Sequence, residues 1–132
     1  MSVFKSIGFI TAVVFALLLS GCNTAPIKNV SINDLSFIDR SVTQDELGKA
    51  IKYAGIKLGW EMTTEKPGVI IAILHLRKHM AKTRINYNAD GYSITYMDST
   101  NLNYDGQNIH ANYNRWVRNL DLEIRTRLAS ME

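Results

Sequence analysis

The chain has one cysteine in 132 residues, so no disulfide can form within it and any domain it builds is held by packing alone. Charge of one sign is also scarce: 15 Lys and Arg stand against 12 Asp and Glu, and only Lys5 lies in the first 21 residues. Without that segment the balance is 14 against 12, too mild for the strong basic face by which proteins hold nucleic acid. Nucleic acid is therefore set aside as a partner. There is no internal repeat, no low-complexity tract and no G-x-S-x-G nucleophile elbow. The one long apolar run, Ile7 to Leu19, has 13 residues, whereas a bilayer-spanning helix needs roughly 20.

What is present begins with that run. Lys5 in a short polar start, the apolar stretch, and then Leu19-Ser20-Gly21-Cys22 form the three parts of an export signal. Small residues before the cut let a peptidase at the membrane surface take the segment in extended form. The Leu-Ser-Gly-Cys sequence closely resembles the lipobox of bacterial lipoproteins. The resemblance implies a diacylglyceryl group on the Cys22 thiol, removal of residues 1–21 as a signal peptide, and often acylation of the new amino group. The competing reading, a plain signal peptide or an uncleaved anchor, leaves Cys22 incidental. Two or more acyl chains, each methylene adding about 0.8 kcal/mol, make attachment durable. Lipoproteins retained in the inner membrane of enteric bacteria carry Asp after the cysteine. Asn23 stands there instead, which favours the outer membrane, facing the periplasm.

The remaining 111 residues suit one domain. Residues 22–41 are polar, with Pro26 and no sustained apolar period, and read as a lipidated start and tether; Leu35 to Ile38 can dock as an extended segment. Thr43-Gln44-Asp45-Glu46 fits a capping box, and Leu47, Ala50, Ile51, Ala54 and Leu58 continue it as an amphipathic helix that stops at Gly59. Gly55 weakens its interior for close packing or by tolerance. Strands are predicted over Trp60–Thr64, Val69–Arg77, Ala81–Tyr87 and Tyr92–Tyr96. Turns are expected at 65–68, at Lys78-His79-Met80 and at 88–91. A polar connection from Asp98 to Asn108 leads to a final helix, about 111–128, with Tyr113, Trp116, Val117, Leu120, Ile124 and Leu128 on its apolar stripe. Arg115, Arg118, Asp121 and Arg125 lie off that stripe. The order α-β-β-β-β-α predicts an α+β domain over 42–132: a four-stranded antiparallel meander with both helices on one face, and Trp60 and Trp116 in its core.

From Gly59-Trp60 onward, the spaced run Ile70, Ala72, Leu74, Arg77, His79 and Ala81 is followed by Tyr92-Ser93-Ile94, Asp98-Ser99 and Asn101-Leu102, and then by Ile109-His110, Tyr113-Asn114 and Trp116-Val117. The pattern resembles small bacterial lipoproteins with no assigned activity. It supports the fold and implies no catalytic residue.

Three clusters offer chemistry. His75 and His79 are spaced as helical zinc ligands, but the intervening Leu-Arg-Lys lacks the metalloprotease glutamate and the first lies in a strand, so no metal or cofactor is expected. Asp98, Ser99 and His110 contain the residue types of a hydrolase triad, yet such Asp and Ser side chains more often cap turns. Arg77, Lys78, His79, Lys82 and Arg84 surround one reversal and form a candidate patch for phosphate groups of an anionic ligand; the bland alternative is a solvated face. Tyr87, Tyr92, Tyr96, Tyr104 and Tyr113 serve packing or an aromatic surface. The expectation is a membrane-tethered, non-catalytic interaction module with an envelope protein as partner. The alternatives are a binder of a small, anionic or glycan-bearing envelope ligand and, last, a periplasmic hydrolase.

Overall fold

The computed structural model describes residues 23–131, so the signal segment and Cys22 lie outside the described residues. The first helix, α1 (Gln44–Lys57), starts on the predicted capping box: Thr43 Oγ1 accepts from the Glu46 N–H at 3.1 Å, and the Glu46 carboxylate accepts from the Thr43 N–H at 3.0 Å. The same bond to the Thr43 amide, with the Arg40 guanidinium, holds the Glu46 carboxyl below its ordinary pKa. Beyond Lys57, Leu58 is the cap and Gly59 takes a φ of +87°. Leu47, Ala50, Ile51 and Ala54 are buried. Leu58, placed on their stripe by spacing, is 37 % exposed because it lies past the last helical residue. Gly55 packs against the Met62 side chain and Gly48 against the Tyr87 ring, so both glycines admit a close approach of helix to sheet.

Four strands run as an antiparallel meander: β3 (Glu61–Lys66), β4 (Val69–Leu76), β5 (His79–Asn88) and β6 (Gly91–Thr100). Two boundaries sit one residue or more from their expected places. The β4–β5 turn is Arg77-Lys78, with His79 and Met80 already in the ladder opposite Leu76 and His75. β6 runs on through Thr100, past the predicted end at Tyr96, because a register shift after Lys82 lets the chain stay paired through a polar stretch. At the β5–β6 turn, Asn88 Oδ1 accepts from the Asp90 and Gly91 N–H groups at 2.8 and 3.2 Å.

The larger correction concerns the segment read as a tether. Thr24–Pro26 (β1) pairs antiparallel with Asn108–His110 (β7) as a two-stranded sheet, and Val30–Ile32 (β2) pairs with β6, giving a five-stranded sheet in the order β2-β6-β5-β4-β3. The sheet is thus not four-stranded, and the folded unit takes in most of the residues before 42. Three-residue strands are too short to show a period; what makes them is a partner about 60 to 90 residues away. Leu35 and Ile38 do pack on the core, through a turn in which the Ile38 N–H donates to the Leu35 carbonyl, not as an extended segment.

The second helix, α2 (Ala111–Ser130), begins at His110, whose Nδ1 accepts from the Asn112 N–H at 3.1 Å. Tyr113, Val117, Leu120, Ile124 and Leu128 are buried; Trp116 is half-buried. The core lies between the two helices and one face of the sheet: Ile70, Ala72 and Leu74 of β4, Ala81 and Ile85 of β5, Tyr92 and Ile94 of β6, with Trp60 at 4 % exposure. The helices are joined across their outer edge by Lys57 to Glu123 at 2.8 Å and by the Arg127 guanidinium over the Tyr53 ring at 4.1 Å.

Gly91 sits so close to the Ile32 carbonyl that a methyl group there meets backbone, not a movable side chain. Gly91→Ala is expected to lower stability by about 1–3 kcal/mol by forcing β2 from β6. Gly55→Ala, whose obstacle is the flexible Met62, should stay within about 1 kcal/mol of the parent, since helix propensity offsets the crowding. Urea unfolding of the two variants compares them; equal losses would contradict this account of the edge.

Candidate functional site

Side chains alternate across a sheet, so the ladder partners fix which face each candidate residue occupies. His75 is opposite Met80, and Leu76 is opposite His79. The two histidines are therefore on opposite faces and do not converge on one ion. His79 turns toward the helices: its ring centroid is 6.4 Å from that of Trp116, and its Nδ1 is 2.9 Å from the Asn101 carbonyl.

The five residues of the basic patch separate in the same way. Arg77 and Lys78 are exposed at the turn, while His79 belongs to the helix side. Lys82 and Arg84 lie on the other face, about 13 and 20 Å along the strand from Lys78 at about 3.3 Å per residue. Lys82 is opposite both Ile73 and Asp98, and Arg84 is bound to Glu65 at 3.2 Å. Arg77 has a φ of +56°, an uncommon conformation for a side chain with a Cβ.

Asp98, Ser99 and His110 each find separate partners. The Asp98 carboxylate accepts from the Ser99 N–H at 2.8 Å, the Ser99 hydroxyl is 2.8 Å from that of Tyr96, and His110 caps α2. Asp98 and Ser99 border a surface depression of about 640 Å³ with Tyr96, Asn101, Asn103 and Tyr104, and His110 is not in its wall. Asn101 instead ties the connection down, its Nδ2 donating to the Lys78 carbonyl at 2.7 Å. The tyrosines mostly pack: Tyr92 and Tyr113 are buried, and Tyr96 stacks at 4.2 Å on Tyr104, which is 41 % exposed.

The face away from the helices has a different character. Val69, Ile71 and Ile73 of β4 point there, with Ile71 opposite Arg84 and Ile73 opposite Lys82; Ile71 and Ile73 are half-buried and outside the core cluster. Glu61 and Thr63 of β3 flank them on one side and Lys82 and Arg84 of β5 on the other, with Ser93 and Thr95 of β6 one strand farther out. This explains why β4 reads as apolar on both parities although only one of its faces meets a helix. The result is an aliphatic stripe within a polar and charged rim.

One polar cluster was not anticipated. Asp121, read as lying off the helix stripe, is 8 % exposed; it accepts from the Tyr92 hydroxyl at 2.6 Å and pairs with Arg125 at 3.3 Å. Arg125 in turn lies 5.8 Å from the Phe37 ring centroid. The i,i+4 spacing of Asp121 and Arg125 was visible, but the phenol that draws the carboxylate inward comes from a strand and left no local trace. Burial and the neighbouring carboxylate push the Tyr92 phenol far above its ordinary pKa, and burial does the same to Tyr113. Among the described residues no group of three or more His, Cys, Asp or Glu is gathered to hold a metal ion.

Compared with known proteins, the chain matches no family model, and no curated protein or solved structure is significantly similar to it.

Asp121→Ala should cost about 2 kcal/mol and Tyr92→Phe about 1–2 kcal/mol, because each strands a buried partner. A double-mutant cycle is expected to give a coupling of at least about 1 kcal/mol, and a value near zero would remove the bond from the account. Alkali supplies a separate check. Tyr92 and Tyr113 stay protonated in the fold while the unfolded chain ionises above pH of about 10, so stability should fall there by up to about 1.4 kcal/mol per pH unit for each. Tyr113→Phe should lessen that slope in unfolding curves collected from pH 9 to 11.

Proposed function

We propose that this chain is a lipid-anchored envelope protein, tethered through acyl chains on Cys22 and projecting into the periplasm from the outer membrane, that acts as a non-catalytic interaction module for another envelope protein. The observation that carries the reading is the uncovered sheet face, where Ile71 and Ile73 form an aliphatic stripe bordered by Lys82 and Arg84 on one side and Glu61 and Thr63 on the other. An apolar centre with a charged and polar rim is the make-up of a protein-binding surface. The stripe also lies on a rigid ladder, so a partner meets it without an ordering cost.

One further observation supports the reading. Asp98, Ser99 and His110 spend their polar groups on backbone and on Tyr96, which favours structural roles for them over catalysis. Among the described residues no helix is long and apolar enough to cross a membrane.

A photo-crosslinking residue at Ile73 should capture a discrete partner in intact cells, whereas the same residue at Lys49, on the outer side of α1, should not. Ile73→Glu should reduce capture through a neighbouring probe at Thr63, opposite Ile71 on β3, at least about tenfold while the fold survives, as expected for a half-buried contact at the centre of an interface. Equal capture from both faces would overturn the assignment of the surface. For the anchor, Cys22→Ser should leave an exported protein that no longer fractionates with membranes; unchanged fractionation would refute it.

A further inference from the structure

The corrected N-terminus brings the proposed anchor against the folded body. In the sequence Cys22 directly precedes Asn23. The Asn23 carbonyl accepts from the Ala111 N–H at 2.9 Å, and Thr24 is opposite His110. The residue that follows the proposed anchor is thus already bonded to the domain.

The same end of the molecule carries the β4–β5 turn. From Ala111 the path runs to His110, whose N–H donates to the Leu102 carbonyl at 2.7 Å, and then to Asn101, which bonds Lys78 and His79. With about 5 Å for each antiparallel pairing and 3.8 Å for each residue, Asn23 and the turn are at most roughly 25 Å apart. Arg77 and Lys78 are exposed at that turn. Arg115 is exposed one helical turn beyond Ala111, and its Nη1 reaches back toward the helix start to Asn112 Oδ1 at 3.1 Å. None of the three is ion-paired among the described residues. The neighbouring carboxylates stay charged but bond to backbone amides and not to these cations: Asp105 accepts from the Gln107 and Asn108 amides at 2.9 and 2.7 Å, and Asp98 from Ser99. Arg77 also holds the positive φ at a position of a two-residue hairpin turn that glycine fits better.

We infer that this end of the domain is a membrane-contact surface, on which Arg77, Lys78 and Arg115 rest against the headgroups of anionic phospholipids and set the tilt of the domain. The inference rests on acylation of Cys22. Each cation at an anionic surface raises local association about fivefold. The anchor supplies the attachment, and salt limits each charge to about 8–10 Å from the surface, so the charges act on orientation and not on attachment.

The test uses the full-length protein purified with its lipid and inserted into vesicles of phosphatidylcholine, alone or mixed with phosphatidylglycerol. An amine-reactive reagent is applied, and the modification of Lys78 is read by peptide mass spectrometry relative to Lys66, at the opposite end of the sheet. The Lys78 to Lys66 ratio should fall about fivefold in the anionic vesicles and recover at high salt. An unchanged ratio overturns the inference, as does equal protection by inorganic phosphate added to the zwitterionic vesicles. Arg77→Gly combined with Arg115→Gln relaxes the turn and removes two cations; it should melt no lower than the parent and lose most of the Lys78 protection. Full protection in a folded variant counts against the inference. Flotation separates the two failures: parent protein that floats with zwitterionic vesicles no better than Cys22→Ser sinks the anchor and the inference together. Anchored protein with an unprotected Lys78 sinks only the inference.

Discussion

The short ladder between Thr24–Pro26 and Asn108–His110 is the constraint on which the rest of the architecture turns. It joins the start of the described chain to the start of the second helix, and side chains reinforce it: Asn114 Oδ1 accepts from the Lys28 N–H at 2.9 Å, and Asn114 Nδ2 donates to the Pro26 carbonyl at 3.0 Å. With the ladder in place, Val30–Ile32 reaches the free side of β6 and closes that edge of the sheet. Without it, the residues before Val30 lose their partner strand, and the proposed anchor would be held only through the pairing of Val30–Ile32 with β6.

The sheet divides the molecule into two unlike faces. One face is covered by both helices and is cemented by the Tyr92–Asp121–Arg125 cluster, in which a carboxylate is taken out of water only because a phenol and a guanidinium meet it there. The other face keeps an aliphatic stripe without a helix to cover it. Buried polar groups thus fix how the covered side packs, and the uncovered side supplies the surface proposed for a partner.

Local patterns announced the parts whose causes are local. The Thr43–Glu46 capping box, the Leu47–Ala54 stripe and the alternation of Ala81, Thr83 and Ile85 all lie within a turn or two of one another, and each marks an element that the structure contains. β1 and β2 stayed hidden because three residues cannot display a period and their partners lie far along the chain. The β4–β5 turn was displaced because Arg77 accepts a backbone conformation usually left to glycine, so the sequence carried no turn residue to mark it. The candidate patch dispersed for a simpler reason: five basic residues close in sequence fall on two faces and one tip once the strand is formed. Asp121 was invisible since burial of a carboxylate depends on a phenol 29 residues away.

The separation between the two strands of the outer ladder has an order of events built into it. β3 to β6 pair through hairpins and can form as soon as they are together, whereas contacts such as that of Lys28 with Asn114, 86 residues apart, must wait for the last helix. A chain emerging from its amino end therefore keeps that end loose through most of its assembly. Until the carboxyl-terminal helix is in place the strand that begins at Thr24 has no partner, so access to that end of the chain is governed by how late its distant partner forms.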